Sequence, residues 1–246
     1  MKAMIFAAGL GTRLQPLTGK MPKALVPVSG KPLLEHVIEK LKDAGFDEII
    51  VNVHHFSGQV VRFLAEKNNF GIRIEISDET DLLLDTGGGI KKAVAFFDDE
   101  KPFLVHNVDI FSNADLHKIY DFALKSNALA TLLVSKRQSS RYLLFDKNRR
   151  LAGWLNDTTG EVKSPYKNLN INDCEKLAFG GIHVVSPGIF KLMDTWTGKF
   201  SIIEFYLSVC DKHEICAYMP ENLKLLDVGK MDSLGIAEKF LQGKQG

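Results

Sequence analysis

The stretch AAGLGTRLQPLTGKMPKALVPVSGKP, residues 7–32, follows the apolar run AMIFAA at residues 3–8 and decides how the chain reads. A short continuous apolar run ended by Gly9 suits a strand buried on both faces. Glycines at 9, 11, 19 and 30 and prolines at 16, 22, 27 and 32 then keep helix out of the segment, so a loop carrying Arg13, Lys20, Lys23 and Lys31 leaves the end of the first strand. Gly9 and Gly11 lack the Cβ atoms that would hold anionic oxygens away from backbone N–H groups. Thr12 adds a hydroxyl, and Arg13 a planar fork suited to phosphate oxygens. Lys23 follows Pro22, which stiffens the segment that carries it. A loop with an arginine early and a lysine late can neutralise a triphosphate.

Downstream, strand and helix patterns alternate. PLLEHVIEKLKDAG (residues 32–45) places Leu33, Leu34, Val37, Ile38 and Leu41 at helical spacing between a leading proline and a closing glycine. A strand at 48–53, a helix at 57–67, a strand at 72–77, a helix at 90–97 entered through Gly87–Gly89, and a strand at 103–110 follow. A helix capped by Asn113 runs to 127, and a strand at 128–135 completes the set. This rhythm predicts an α/β domain with a mostly parallel central sheet covered by helices on both faces. Ligands bind beyond the carboxyl ends of such strands. The later chain carries short strands (141–145, 151–155, 177–186, 215–219, 223–229) and helices near 187–193, 202–210 and from 232. One domain, 1–246, is expected, with residues 1–135 as a nucleotide-binding half and 136–246 as a sugar-binding half.

Composition removes several function classes. A net charge of +1 gives no global field for nucleic acid or anionic lipid, so anion binding must be local. Cys174, Cys210 and Cys216 have no zinc spacing and read as free thiols in a reducing compartment. No apolar run is long enough for a membrane helix, and the opening run is too short for a signal segment; a cytoplasmic protein is expected. SGKP (29–32) has Pro where a P-loop needs Ser or Thr. GLGTRL (9–14) has Leu at the third glycine of a dinucleotide fingerprint, with Asn52 and His54 in place of its acidic residue.

The full string AAGLGTRLQPLTGKMPKALVPV resembles the G-x-G-T-R-x-x-P-L-T and P-K-x-L-x-P-V signature of sugar-1-phosphate nucleotidylyltransferases. The resemblance continues in order through GKPLLEHVIEKLKDAG, DEIIVNVHHFSGQV, DTGGGI, NVD and LLDVG (225–229), nearly the whole chain. It implies the Rossmann-like nucleotide-diphospho-sugar transferase fold, with a nucleoside triphosphate and a sugar 1-phosphate as partners. It implies Arg13 on the β- and γ-phosphates, and Lys23 between the α-phosphate and the sugar phosphate. Mg2+ is expected on Asp109 and Asp227, each of which alone would read as a cap or turn residue. Nucleotide contacts are implied for Ala8, Gly9, Gly11, Thr12, Thr86, Gly87, Gly88 and Asn107, and sugar contacts for Gly180, Gly181 and Glu204. UTP with N-acetylmuramate 1-phosphate is the first substrate pair, and GTP with mannose or heptose 1-phosphate the alternative.

Some positions depart from the pattern. Val108 stands where relatives carry Gly before the metal aspartate, which keeps a non-catalytic nucleotide-sugar sensor as a second class of reading. Lys230 replaces the usual Thr after LLDVG, and the E-K-P motif of one branch is missing near 154–165. His54, His55, His106 and His183 read as ordinary half-buried histidines, since the reaction needs no proton shuttle. Trp154 reads as a strand aromatic packed in the core. No hexapeptide repeat follows the domain.

Overall fold

In the computed structural model, which describes residues 1–243, the opening apolar run forms the strand Lys2–Phe6, with Ala3, Met4 and Ile5 shut off from solvent. It pairs in parallel with Glu48–Val53, Ala3 facing Ile49 and Ile5 facing Val51; that strand pairs in parallel with Arg73–Asp78. The helix Leu33–Asp43 between the first two buries Leu33, Leu34, Val37, Ile38 and Leu41, the side chains whose spacing predicts it. Each such burial is worth about 1.5–3 kcal/mol. Ser57–Glu66 packs Val60 and Leu64 inward in the same way.

These elements belong to the first of two units, which comprises Met1–Leu83, Val105–His117 and the chain from Leu223 onward. The expected strand 103–110 is broken in two, Phe103–Asn107 and Ile110–Ser112. The break has a cause in hydrogen bonding. Val108 N–H still donates to Phe6 O at 3.2 Å, whereas Asp109 O accepts from Val228 N–H at 2.8 Å. The chain changes partners there, and Ile110–Ser112 pairs antiparallel with the late strand Leu225–Asp227. Asn113 is not a helix cap: its N–H donates to Lys224 O, its Oδ1 accepts from Lys224 N–H at 2.7 Å, and the helix starts later, at Leu116. The unit ends in the helix Met231–Gln242, whose Ser233 hydroxyl joins the Lys230 backbone.

The second unit comprises Leu84–Leu104 and Lys118–Asn222. Its long strand Glu175–Val185 pairs antiparallel with Ala130–Ser135 and with Arg141–Phe145, which continues into Leu151–Asn156 and Val162–Lys163. Ile215–Tyr218 adds a parallel neighbour to Ala130–Ser135. The register of the long strand shifts between Phe179 and His183, where Gly181 takes φ 68°, the left-handed conformation a bulge assigns to glycine. The expected helix 90–97 begins earlier and ends sooner, at Asp85–Lys92, followed by a 3-10 turn at Val94–Phe96. Its last turn is tied down by Lys91, whose ammonium donates to the carbonyls of Met193, Asp194 and Trp196. Phe97, Phe103 and Phe190 stack in the core of this unit. No helix among the described residues is long and apolar enough to cross a membrane.

Candidate functional site

The cationic loop folds back on itself through Gly11. This residue has φ 64°, and its carbonyl accepts from Leu14 N–H and from the Thr18 hydroxyl, both at 2.8 Å. A Cβ here would meet Thr18 Cγ2 at 2.8 Å and Lys23 Cβ at 3.0 Å. Glycine therefore lets the early turn lie against the segment carrying Lys23. Gly9, Thr12 and Arg13 are exposed, and nothing lies within 4 Å of where a Gly9 Cβ would sit. The Arg13 guanidinium has no hydrogen-bond or ion-pair partner among the described residues, so its donors are available to an anion.

The two aspartates, far apart in sequence, meet because of the pairing of Ile110–Ser112 with Leu225–Asp227, which sets Asp227 opposite Ile110. Lys23 Nζ donates to Asp109 Oδ2, and both side chains are largely buried, at 12% and 13% exposure. Asp227 Oδ1 is held by Gly229 N–H at 2.8 Å. A Cβ on Gly229 would lie 2.8 Å from Asp227 Oδ1, 2.9 Å from Arg13 Nη2 and 3.0 Å from Asp109 Oδ2. Four of the expected residues, Arg13, Lys23, Asp109 and Asp227, thus converge in the first unit around one point that only a missing side chain leaves open. Gly229 went unremarked in the sequence beyond its place in LLDVG. Lys230 is exposed, its backbone engaged by Ser233. Val108 is buried.

The remaining expected residues have other neighbours. Ala8 N–H is committed to Asn52 Oδ1 at 3.2 Å, and Asn107, half-buried at the end of its strand, has its carbonyl on His106 Nδ1. In the second unit, Gly87 and Gly88 are buried, and both their N–H groups donate to Phe200 O. A Cβ on Gly87 would stand 2.4 Å from the Phe200 ring, and one on Gly88 2.6 Å from Gly198 O. The resemblance implies nucleotide contacts for these glycines; in the structure both amides are bonded to Phe200 O, and a side chain at either position would meet its neighbours. Thr86 Oγ1 accepts from Ile202 N–H at 2.9 Å, at the start of the helix Ile202–Val209. Gly180 and Gly181 form the bulge of the long strand, and Glu204 is exposed, 3.8 Å from Lys163 Nζ.

His183 and the three cysteines lie in the second unit, buried or half-buried. His183 is fully buried with Nδ1 bonded to the Tyr206 hydroxyl at 3.0 Å, and burial pulls its pKa down to about 3. The three cysteines are free; burial pushes the Cys210 thiol up to about 11 and the Cys216 thiol to about 12. Among the described residues no group of three or more His, Cys, Asp or Glu side chains that could hold a metal ion occurs.

Known proteins match this chain over most of its length. The N-acetylmuramate alpha-1-phosphate uridylyltransferase of Caulobacter vibrioides is 33% identical over 226 residues, covering 90% of this chain and 89% of that protein. The mannose-1-phosphate guanyltransferase of Yarrowia lipolytica is 34% identical over 197 residues, covering 79% of this chain but 52% of its own length. Among solved structures, HddC from Yersinia pseudotuberculosis complexed with GMP-PN matches with a TM-score of 0.76 at 23% identity, over 98% of this chain and 99% of that one. UDP-glucose pyrophosphorylase from Acinetobacter baumanii matches with a TM-score of 0.74 at 18% identity, over 100% and 99%. At such identities these two establish the shared fold alone. The sequence profile described as nucleotidyl transferase matches residues 2–244, and with a match spanning nearly its whole length the chain belongs to that family.

Proposed function

We propose that this chain transfers the uridylyl group of UTP to N-acetylmuramate 1-phosphate and releases pyrophosphate. Transfer of a nucleotidyl group to a sugar 1-phosphate is the activity of its family and relatives; base and sugar are the finer reading. The observation that carries it is the meeting of Arg13, Lys23, Asp109 and Asp227 at Gly229. The uridylyl choice is supported by the Caulobacter relative, whose match covers 90% of this chain and 89% of its own length, whereas the mannose-type relative is about twice as long as the region matched.

An oxygen of the sugar phosphate attacks the α-phosphorus, the bond to the bridging oxygen breaks, and the β- and γ-phosphates leave as pyrophosphate. The nucleophile is already ionised, so the protein has only to align it and neutralise charge. Gly9 and Thr12 present the loop to the phosphates, and the Arg13 fork takes the β- and γ-oxygens. Lys23 exchanges Asp109 for phosphate oxygen, placing its ammonium between donor and acceptor where negative charge grows. The acid pair fits a divalent cation: two carboxylates bracket a point that Gly229 leaves bare. Asp109 and Asp227 would hold Mg2+, which when bound supplies positive charge to the phosphate oxygens. Within the second unit, the sugar is assigned to the bulge at Gly180 and Gly181 and to the exposed acceptor Glu204.

The test is a matrix of the four NTPs against N-acetylmuramate, mannose, glucose and heptose 1-phosphates with Mg2+, scored by pyrophosphate. UTP with N-acetylmuramate 1-phosphate should lead. A lead for GTP with mannose or heptose 1-phosphate replaces that pair, and silence from every pair turns the reading to a sensor.

A further inference from the structure

The sheet ladder of Lys2–Phe6 ends with Phe6 opposite Asn52, but the chain stays buried for two residues more. Ala7 and Ala8 therefore carry N–H groups that no neighbouring strand can satisfy, and leaving them bare would be costly. One side chain takes both. Asn52 Oδ1 accepts from Ala7 N–H at 2.7 Å and from Ala8 N–H at 3.2 Å. On its other side Asn52 Nδ2 donates to Glu79 Oε1 at 2.8 Å. Asn52 is 3% exposed and Glu79 1%, so water does not compete for either.

The arrangement has one sense only. Backbone N–H groups donate and need an acceptor, so the two alanines oblige the carboxamide oxygen to face them and leave its NH2 end to Glu79 Oε1. Glu79 is itself fixed at the end of the next strand, its N–H donating to Val53 O at 2.7 Å. The carboxyl ends of three successive parallel strands are thereby tied together one residue before Gly9.

We infer that Asn52 and Glu79 are positioning residues for the phosphate loop: the pair fixes where the chain leaves the sheet at Ala7–Ala8 and so aims Gly9, Thr12 and Arg13 at the nucleotide. This rests on the proposed function only in taking the ligand to be a nucleoside triphosphate. An error of even a fraction of an ångström at such a hinge is carried outward to the guanidinium, and catalytic geometry tolerates little of it.

The exchange of donor and acceptor between the two residues tests it. Asn52→Asp leaves an acceptor for the alanines but sets two carboxylates against each other. Adding Glu79→Gln restores a donor opposite the new carboxylate, with the original net charge. Titration of UTP and of GTP into the whole protein by calorimetry reads affinity without turnover, beside kcat and KM from pyrophosphate release and thermal unfolding. Asn52→Asp should weaken the better-bound nucleotide by about tenfold or more, with the loss in KM rather than kcat, and the double variant should recover to within about threefold of wild type. A folded Asn52→Asp with wild-type affinity overturns the inference, as does a double variant that fails to recover or to fold. If Asn52→Asp alone does not fold, the double variant decides. A protein that binds nucleotide but releases no pyrophosphate refutes the proposed reaction and leaves this test intact.

Discussion

Gly9–Gly11 and Gly87–Gly89 are two glycine clusters, one just past the first strand and one inside the helix Asp85–Lys92, and the family resemblance implies the same task for both, contact with the nucleotide. In the structure they divide. Around Gly9 there is open space, while Gly11 turns the loop so that Lys23 closes on it. Gly87 and Gly88 are buried inside the second unit, where a methyl would strike the Phe200 ring or the Gly198 carbonyl, and their amides are used up on Phe200 O. One cluster leaves room for something outside the protein, the other for the protein itself. A run of glycines reports that a Cβ is not tolerated, and only the neighbours say what takes its place.

The contrast can be broken at several points. Lys23→Ala and Asp227→Asn should each lower kcat by about 10²–10³-fold, the range for removing a group that meets developing charge, while thermal unfolding stays within a few degrees of wild type. Near-normal kcat in either would remove the convergence at Gly229 from the chemistry. Gly229→Ala puts a methyl within 3.0 Å of three polar atoms of that convergence, and kcat should fall by about 10–100-fold. Gly87→Ala should cost about 1–3 kcal/mol of stability through overpacking, with kcat kept for the folded fraction; Gly9→Ala should do the reverse, unfolding normally but raising KM for the nucleotide. If both variants lost stability alike, the two clusters would not differ as described.

A further effect, spread over several pH units, concerns protonation. His183 has a folded pKa of about 3 against 6.5 when free, so between these values the unfolded chain binds the extra proton. Stability is then fully present above pH 6.5 and falls as the pH drops toward 3, by at most about 1.4 kcal/mol per unit for this one group. Chemical denaturation of wild type and His183→Gln across that window should show the shallower slope in the variant. Equal slopes would mean that the buried imidazole does not govern it.

Much of the first unit was legible because its signals are local. Leu33, Leu34, Val37, Ile38 and Leu41 specify both a helix and its inward face, and Glu48–Val53 is the strand its apolar run predicts. Arg13, Lys23, Asp109 and Asp227 were legible as residue types in a family pattern. What brings the last two together was not: it depends on register between segments more than a hundred residues apart, which no local periodicity encodes. Asn113 looks like a cap and is a clamp on Lys224, because a side-chain acceptor serves a helix N-terminus and a crossing strand equally well. Asn52 did leave a trace, a carboxamide inside the buried run EIIVNV, where an uncompensated polar group would not survive.

The order in which the chain is made gives the strand Leu225–Asp227 one more significance. The first unit is drawn from three segments of the chain, and the second from the two segments that lie between them in sequence. A ribosome that has delivered the cationic loop, Asp109 and the whole of the second unit has still produced only one of the two facing carboxylates. Until residue 227 has been made, a nascent chain holds Asp109 without the carboxylate that faces it, however much of the second unit is already complete.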